Sequence, residues 1–487
     1  MPGGVLRGKR LTFLSNDELQ RIHETTVEVL ENVGIKSFSD SITKVFADAG
    51  AEVDPKNKIV KIPENIVKEA LKKAPKRFIL CGRNPKNDII IDNERIYFGM
   101  GGTPTPYIRD IETGEFRRPT RKDFADATRL GDALPNMSFL MTIAGAFDVP
   151  YELEYLYEYE ILFNNTEKPI VYPAPGAEIA KYALKMASIV AGGEEELRKR
   201  PILSLYGEPP PPLMITETDE NLIEYARLGI PIALGPTAMA GSTGPITLAG
   251  AAIISNAGSL TAISLVQLIN PGSPILYACW VAATDPRTGR HAYGSPEFAF
   301  STSVINSQMA HYYGLPCFGF AGCPDSNYPD AQAGAEAMMM TLMNTLSGVN
   351  LMHDCGYIAG GDAGSMEMAV ICDEICGIAL KIARGIDVND ETLAFDIIRE
   401  VGPCGHFLSH KHTLKFLEKG EIYIPKLFKR LSKDEWIKTG KKKIHEVARE
   451  TAKKILKEHF PEPLPKDVQQ KLTSVLKQAE EKLRTSK

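Results

Sequence analysis

No phosphate-binding P-loop, GxSxG nucleophile turn or HExxH metal helix occurs in this 487-residue chain. That removes nucleotide-driven, acyl-transfer and zincin-type chemistry from the first choices. The start, "MPGGVLRGKRLTFL", lacks the apolar core of a secretory signal. The most apolar stretch, near Ile246–Ile269, carries Asn256, Gln267 and several serines and threonines, a pattern for a buried helix and not for a membrane span. The eight cysteines include no CxxC, and in a large chain without a secretion signal they are expected to stay reduced in a cytoplasm. There is no basic arm either. The formal charge is −5, and the lysine-rich end intersperses glutamates at helical spacing as a solvated face does, so no nucleic-acid partner is expected. "GMGGTP" and "AGGDAGS" lack phosphate-loop spacing and read as turns.

What is present is an α/β pattern. Hydrophobic residues make up 44% and charged residues 24%, the balance of an average globular protein with enough apolar mass for one large core. The N-terminal stretch to about residue 75 reads as helical. Ser15-Asn16-Asp17-Glu18 offers a cap followed by carboxylates; Ile22, Thr26, Val29, Leu30 and Val33 then recur at i, i+3, i+4 spacing. From Arg77 to Arg118 short β-branched and aromatic runs alternate with Asn, Gly and Asp turns. A recurring unit then takes over. Pro169, Pro201, Pro231, Pro274 and Pro316 each precede an apolar run that ends in small or polar residues. Proline suits the first residue of a strand, and apolar runs without alternation suit strands buried on both faces. Helical patterns separate the runs. Adding "MSFLMTIAGAF" before them and "VNLMHDCG" and "SMEMAV" after gives eight strand–helix units, which predicts a (β/α)8 TIM barrel in the α/β class. The expected layout is an N-terminal helical and β-rich extension over 1–130, the barrel over 131–387, and a C-terminal helical tail packed on it over 388–487.

In such a barrel ligands sit beyond the carboxyl ends of the strands. Those ends are rich in rings: Tyr97, Phe147, Tyr172, Tyr206, Trp280, Phe320 and Tyr357 lie at or near them, or in the β-rich extension. Aromatic faces attract cations, and quaternary ammonium groups are held by such cages. The stretch "GFAGCPDSNYPDAQAGAE", read as the end of the sixth strand and the approach to its helix, crowds Asp325, Asn327 and Gln332 into one loop, with Asp330 placed to cap the helix. Cys279, Cys323, His353 and Cys355 also fall near strand ends and are zinc-ligand types. No CxxC or HxH pair there fixes two ligands close in sequence, so no resident metal is expected. Cys372 and Cys376 are expected to pack as small apolar groups.

The blocks "IHETTVEVLENVGIKSF", "APKRFILCGRNPKNDIIID", "FGMGGTPTPYIRD", "GPTAMAGSTGPITLAGAAIISNAGSL", "CPDSNYPDAQAGAE", "SMEMAVICDEICGIALKIARGI" and "VGPCGHFLSHKHTLKFL" together resemble the trimethylamine methyltransferase family, corrinoid-dependent enzymes on a (β/α)8 barrel. The resemblance runs from about Leu11 into the C-terminal region. In the founding trimethylamine enzymes an in-frame amber codon places pyrrolysine in the loop after the sixth strand, a position that aligns at or beside Asn327. An ordinary residue stands here, so the chain resembles the non-pyrrolysine branch, whose characterised members demethylate quaternary amines such as glycine betaine. The resemblance implies methyl transfer from a small quaternary amine to the Co(I) of a corrinoid (cobalamin) on a separate cognate protein, because this chain has no DxHxxG run of its own. It also implies a homo-oligomer. A quaternary ammonium already carries its charge and leaves as a neutral amine, so the site needs no general acid. It must hold the cation and exclude water.

Asn327, Gln332, His353 and Glu367, the last taken as the end of the eighth strand, are expected to be catalytic. Tyr97, Phe147, Tyr172, Tyr206, Trp280, Phe320, Asp325 and Tyr357 are expected to bind substrate. Two other readings compete. One is a zinc-dependent transferase or hydrolase using His353 with the cysteines; the other is a non-catalytic subunit that binds quaternary amines.

Overall fold

The computed structural model describes residues 3–485. Eight parallel strands form its centre: β1 (Arg95–Met100), β2 (Met137–Leu140), β3 (Ile170–Tyr172), β4 (Leu203–Gly207), β5 (Ile232–Leu234), β6 (Ile275–Leu276), β7 (Phe318–Phe320) and β8 (Leu351–Cys355). Each but β6 pairs with its successor, and β8 returns to β1 with Leu351 opposite Tyr97. The seam between β6 and β7 closes through a bridge from Tyr277 to Cys317 and a 2.9 Å bond from the Phe318 N–H to the Tyr277 carbonyl. Helices alternate with the strands: α1 (Arg121–Ala133), α2 (Glu154–Asn165), α3 (Gly176–Ala191), α4 (Asn221–Leu228), α5 (Leu248–Ile269), α6 (Asn306–Tyr313), α7 (Ala331–Ser347) and α8 (Met366–Arg384). Every residue of β3, β5, β7 and β8 is buried, as strands filled from inside and covered by helices outside must be.

The prolines that open the strands give the sheet no N–H, but their carbonyls serve it. Pro169 accepts from Leu140 at 2.9 Å, Pro231 from Leu205 at 2.9 Å, Pro274 from Ile232 at 3.1 Å and Pro316 from Tyr277 at 2.9 Å. The helix Asn16–Glu28 opens on the capping box of Ser15 and Glu18. Helix α5 is the one helix among the described residues apolar and long enough to cross a membrane, yet most of it is buried by its neighbours. Its Asn256 donates to the Tyr313 hydroxyl at 2.9 Å and accepts from that of Tyr277 at 2.8 Å, so the polar group is satisfied inside protein.

Two expectations change. The first barrel strand is Arg95–Met100, so the barrel begins well before residue 131. "SMEMAV" is not a strand: Ser365 caps α8 by accepting from the Met368 N–H at 3.1 Å, and Met366, Glu367 and Met368 form its first turn. A short apolar run looks alike in a buried strand and a buried helix. The corrected count makes "GFAGCPDS" the exit of β7, not of a sixth strand.

After α8 the chain runs through α9 (Asp390–Leu393), α10 (Phe395–Val401), α11 (Lys411–Glu418) and α12 (Lys433–Lys438), then α13 (Ile444–Glu458) and α14 (Lys466–Thr485). Helix α13 packs back on α8 and α1, and α14 on α3; the four helices before them bury nothing. Two small sheets wall the carboxyl end of the barrel. One joins Thr237–Ala240, Trp280–Thr284 and His291–Ala292; the other joins Tyr107–Arg109, Phe116–Arg117, Tyr357–Ile358 and Ala363–Ser365.

Candidate active site

The carboxyl end of the barrel is filled by rings from four strands. Phe318 and Phe320, two apart on β7, point to the same face. His353 of β8 stacks on Phe318 with centroids 4.5 Å apart and lies 4.5 Å from Phe320, 5.5 Å from Trp280 and 5.9 Å from Tyr206. Trp280, just beyond β6, meets Phe320 edge-on at 4.4 Å and donates its indole N–H to the Phe318 carbonyl at 3.1 Å. Gly235, after β5, makes room for this: a Cβ there would lie 2.6 Å from Tyr206 and 2.8 Å from Trp280. Tyr293 closes the cluster from above, 6.4 Å from Phe320.

Polar groups enter at two points. The His353 Nδ1 is 2.5 Å from Asp354 Oδ1, while its Nε2 is buried without a hydrogen-bond partner among the described residues. Such an orphan is uncommon inside proteins and marks a place where a bound group would complete the pairing. The second point is Glu208, just past β4. Protein surrounds it densely, yet the residue keeps substantial solvent-accessible surface. Burial pushes its carboxyl up to about 7; the Tyr206 hydroxyl opposes the shift and the negative charge of Asp354 adds to it. Burial, with Glu208 and Asp354 next, holds the Tyr206 hydroxyl well above its ordinary range. Glu208, Asp354, Tyr206, Tyr293 and Tyr357 therefore share one neighbourhood.

The backbone around this cluster is strained. Cys323 (φ +58°), Asp354 (φ +77°) and Ala359 (φ +57°) adopt left-handed conformations without being glycine. Each costs on the order of 1 kcal/mol, and such residues cluster at functional sites.

The residues expected from sequence divide three ways. Tyr206, Phe320, His353 and Tyr357 come together at the carboxyl end of the barrel, and the Tyr357 hydroxyl donates to the Thr103 carbonyl. Trp280 joins them but is fully buried, so it backs the rings of Phe320 and His353 and presents no surface of its own. Asp325 and Asn327 lie on the rim. They line a cleft of about 250 Å³ with Asp285, Arg290, His291 and Gly360. Asp325 accepts from the Tyr293 N–H at 2.9 Å, and burial, with Glu336 adding, raises its carboxyl.

The rest are elsewhere. Tyr97 lies near the amino end of β1, under Gly3, its hydroxyl accepting from the Ile90 N–H at 3.3 Å. Tyr172 points outward to α2, donating to Glu158 at 2.9 Å. Phe147 sits beneath the Arg118 guanidinium, 4.6 Å away. Gln332 is exposed and donates to Glu336 at 2.8 Å. Glu367 is fully buried in an ion triad: it accepts from Arg109, from Arg449 Nε at 3.0 Å and from Ser365 at 2.9 Å, which ties α13 to the first turn of α8. Its charge is spent on structure.

The residues that sequence reasoning passed over are Glu208, Tyr293, Phe318 and Asp354. Glu208 and Asp354 do carry a signal, since a carboxylate at the end of a buried strand must be paired or used. As a chemical device this cluster offers ring faces and a carboxylate to a cation, and a buried imidazole nitrogen to a hydrogen-bonding group. Of the zinc-type residues, Cys279 donates to the Ala252 carbonyl at 3.4 Å and Cys355 lies 3.7 Å from Cys376, so both thiols turn to helices outside the barrel.

A model of the trimethylamine methyltransferase (MTTB) family matches residues 4–483. A trimethylamine methyltransferase MttB of Desulfitobacterium hafniense (strain DSM 10664 / DCB-2) is 37% identical over 481 residues, covering 98% of this chain and 96% of the relative. A glycine betaine methyltransferase of Desulfitobacterium hafniense (strain Y51) is 35% identical over 474 residues, covering 96% and 97%. A trimethylamine methyltransferase MttB of Methanosarcina thermophila is 33% identical over 470 residues, covering 95% and 96%. Among solved structures, the hydroxylamine complex of MtmB superposes with a TM-score of 0.53 over 92% of this chain and 89% of that one, at 14% identity, a likeness of fold.

Proposed function

Because this chain belongs to the trimethylamine methyltransferase family, we propose that it moves a methyl group from a quaternary amine to the Co(I) of a corrinoid held by a separate protein. The observation that carries this reading is Glu208 in one neighbourhood with the Tyr206, Tyr293 and Tyr357 rings at the carboxyl end of the barrel, with no ion pair to Glu208 among the described residues. A carboxylate without a cation beside aromatic faces is a receptor for a cation.

The corrinoid, brought to the mouth by its carrier, supplies the nucleophile. The rim suits its amide-fringed ring, because Asn327, Arg290, His291 and Asp325 offer donors and acceptors around an open cleft. The chain itself does the rest by position. The rings hold the ammonium and leave one methyl directed at the mouth. Glu208 balances the charge that the cavity would otherwise disfavour. Water is kept out by Trp280 and Phe318, which seal the floor. The amine departs neutral, so no side chain need donate a proton. Asn327 stands where pyrrolysine would be expected by resemblance, and it lies exposed on the rim, which favours a donor that needs no covalent activation.

Methyl transfer to cob(I)alamin from a panel of amines tests this. Quaternary amines are expected to react and trimethylamine to react far more slowly, with Tyr206→Ala and Phe320→Ala each losing at least tenfold in kcat/KM. Trimethylamine as the preferred donor, or wild-type rates in both variants, would sink the proposal.

A further inference from the structure

Tyr293 reaches the site from outside the barrel. The hairpin of Trp280–Thr284 and His291–Ala292 ends with Ala283 opposite Ala292. The helix Pro296–Phe300 then opens on Ser295, whose hydroxyl accepts from the Phe298 N–H at 3.2 Å. Tyr293 lies between the two, where neither a sheet ladder nor a helix turn serves its backbone. Its side chain is not fixed by a hydrogen bond either, since the hydroxyl has no such partner among the described residues. Ring contacts are all that touch it, edge-on to Phe298 at 4.8 Å and tilted over Phe320 at 6.4 Å. A ring that faces a cation acts only when it is held in orientation.

What holds it is a carboxylate. Asp325 Oδ1 accepts from the Tyr293 N–H at 2.9 Å, and the same carboxylate takes the Gly294 N–H. A backbone N–H that leaves the sheet needs an acceptor, and two successive ones on one carboxylate fix the peptide from which the ring hangs. Asp325 is itself anchored. Its own N–H donates to Glu336 Oε2 of α7 at 2.8 Å. The Pro324 carbonyl before it accepts from Gly360 at 2.8 Å, and the Ser326 carbonyl after it accepts from Ala359 at 2.7 Å. Gly294 permits the close approach, because a Cβ there would lie 2.5 Å from the Glu336 carboxyl carbon. Contacts thus run unbroken from α7 through Glu336 and Asp325 to the Tyr293 backbone.

The sequence suggested a different role for Asp325, as a charge that meets the substrate. Its surroundings speak against that. The carboxylate already serves two backbone N–H groups, and the Tyr293 hydroxyl feels Glu208 and Asp354 ahead of Asp325. Glu208 and Asp354 therefore stand toward the tip of the ring and Asp325 toward its backbone. Resting on the reading of the site as a receptor for a cation, we propose that Asp325 is a positioning residue: it aims the Tyr293 ring at the bound ammonium and does not itself touch the substrate.

Calorimetry on the full chain without corrinoid tests this, with tetramethylammonium and its neutral isostere 3,3-dimethylbutanol as probes. Asp325→Ala is expected to weaken both at least fivefold, because a displaced ring is lost to both. Asp325→Asn keeps an oxygen for the two N–H groups and is expected to bind both within twofold of wild type. Tyr293→Ala is expected to lose as much as Asp325→Ala, and the double variant to be no weaker than Tyr293→Ala, since one residue acts through the other. A loss in Asp325→Asn equal to that in Asp325→Ala would overturn the proposal, because it would make the charge the active feature. Losses that multiply in the double variant would do the same. Should Asp325→Ala fail to fold, Asp325→Ser, whose hydroxyl is too short to reach both N–H groups, must show the fivefold loss or the proposal fails. A wild type that binds neither probe brings down the reading of the site and this proposal with it. Wild-type binding that persists undiminished in Asp325→Ala overturns the proposal alone.

Discussion

Replacing Glu208 by glutamine is the perturbation that most directly questions the site. The quaternary nitrogen is wrapped in methyl groups, so its centre approaches a carboxylate no closer than about 5 Å. Coulomb's law then gives about 3 kcal/mol at an effective dielectric of 20 and about 1.7 kcal/mol at 40. Glu208 keeps solvent contact, and burial pushes its carboxyl up to about 7, so the lower value is appropriate near neutral pH. About 1.7 kcal/mol corresponds to roughly a 17-fold rise in Kd.

Calorimetry with tetramethylammonium on the chain alone reads this without any corrinoid. The neutral isostere 3,3-dimethylbutanol separates charge from shape: its weaker binding to the rings is expected to be the same in wild type and Glu208→Gln. Proton linkage gives a second signature. Binding needs the ionised carboxylate, so wild-type affinity is full above pH 7 and declines as pH falls below it, whereas the glutamine variant is flat. A change in tetramethylammonium Kd below threefold refutes the reasoning. An equal loss for the neutral isostere does so too, because it would make Glu208 a packing residue.

Other consequences follow from the same geometry. Glu158, buried between the Ala146 N–H and the Tyr172 hydroxyl, also has its carboxyl pushed up to about 7, first by burial. Between the ordinary value of about 4.3 and 7 the folded chain then holds a proton that the unfolded chain has released, so stability falls as pH rises through that window. Glu158→Gln is expected to be more stable than wild type at pH 8 by on the order of 1–2 kcal/mol and indistinguishable at pH 4, as read from urea unfolding. Glu367→Ala strands the buried Arg109 and is expected to cost about 3 kcal/mol in the same measurement, with tetramethylammonium affinity unchanged; a cost under 1 kcal/mol would contradict the triad's structural role. Gln332→Ala should leave rate and stability alone, within about 0.5 kcal/mol. Asn327→Ala should raise KM for the corrinoid protein while leaving amine binding intact, and a loss of amine binding would move Asn327 from the rim into the cavity.

Much of this architecture was written in periodicity. The proline-led apolar runs became β3 to β7 in order, and Asp330 caps α7 by accepting from the Ala333 N–H at 3.0 Å, because both signals are local. The errors arose where the deciding fact was tertiary. Tyr172 and Tyr206 each end a proline-led apolar run, and nothing nearby tells them apart. A strand buried on both faces shows no alternation to say which side is the lumen, so one ring turns out to α2 and the other turns in to His353. "SMEMAV" and "RIYFGM" are likewise both short apolar runs, and only pairing with β2 and β8 makes the second a strand.

The two carboxylates sharpen the point. Glu367 and Glu208 each lie where a negative charge is costly, and the rule that such a group is paired or used applies equally to both. What separates them is a cation. Arg109, 258 positions away in sequence, reaches Glu367, and none reaches Glu208 among the described residues. The absence of a partner cation is a property of the folded site alone, and it is that absence which turns an ordinary strand-end glutamate into the strongest candidate for holding the substrate's charge.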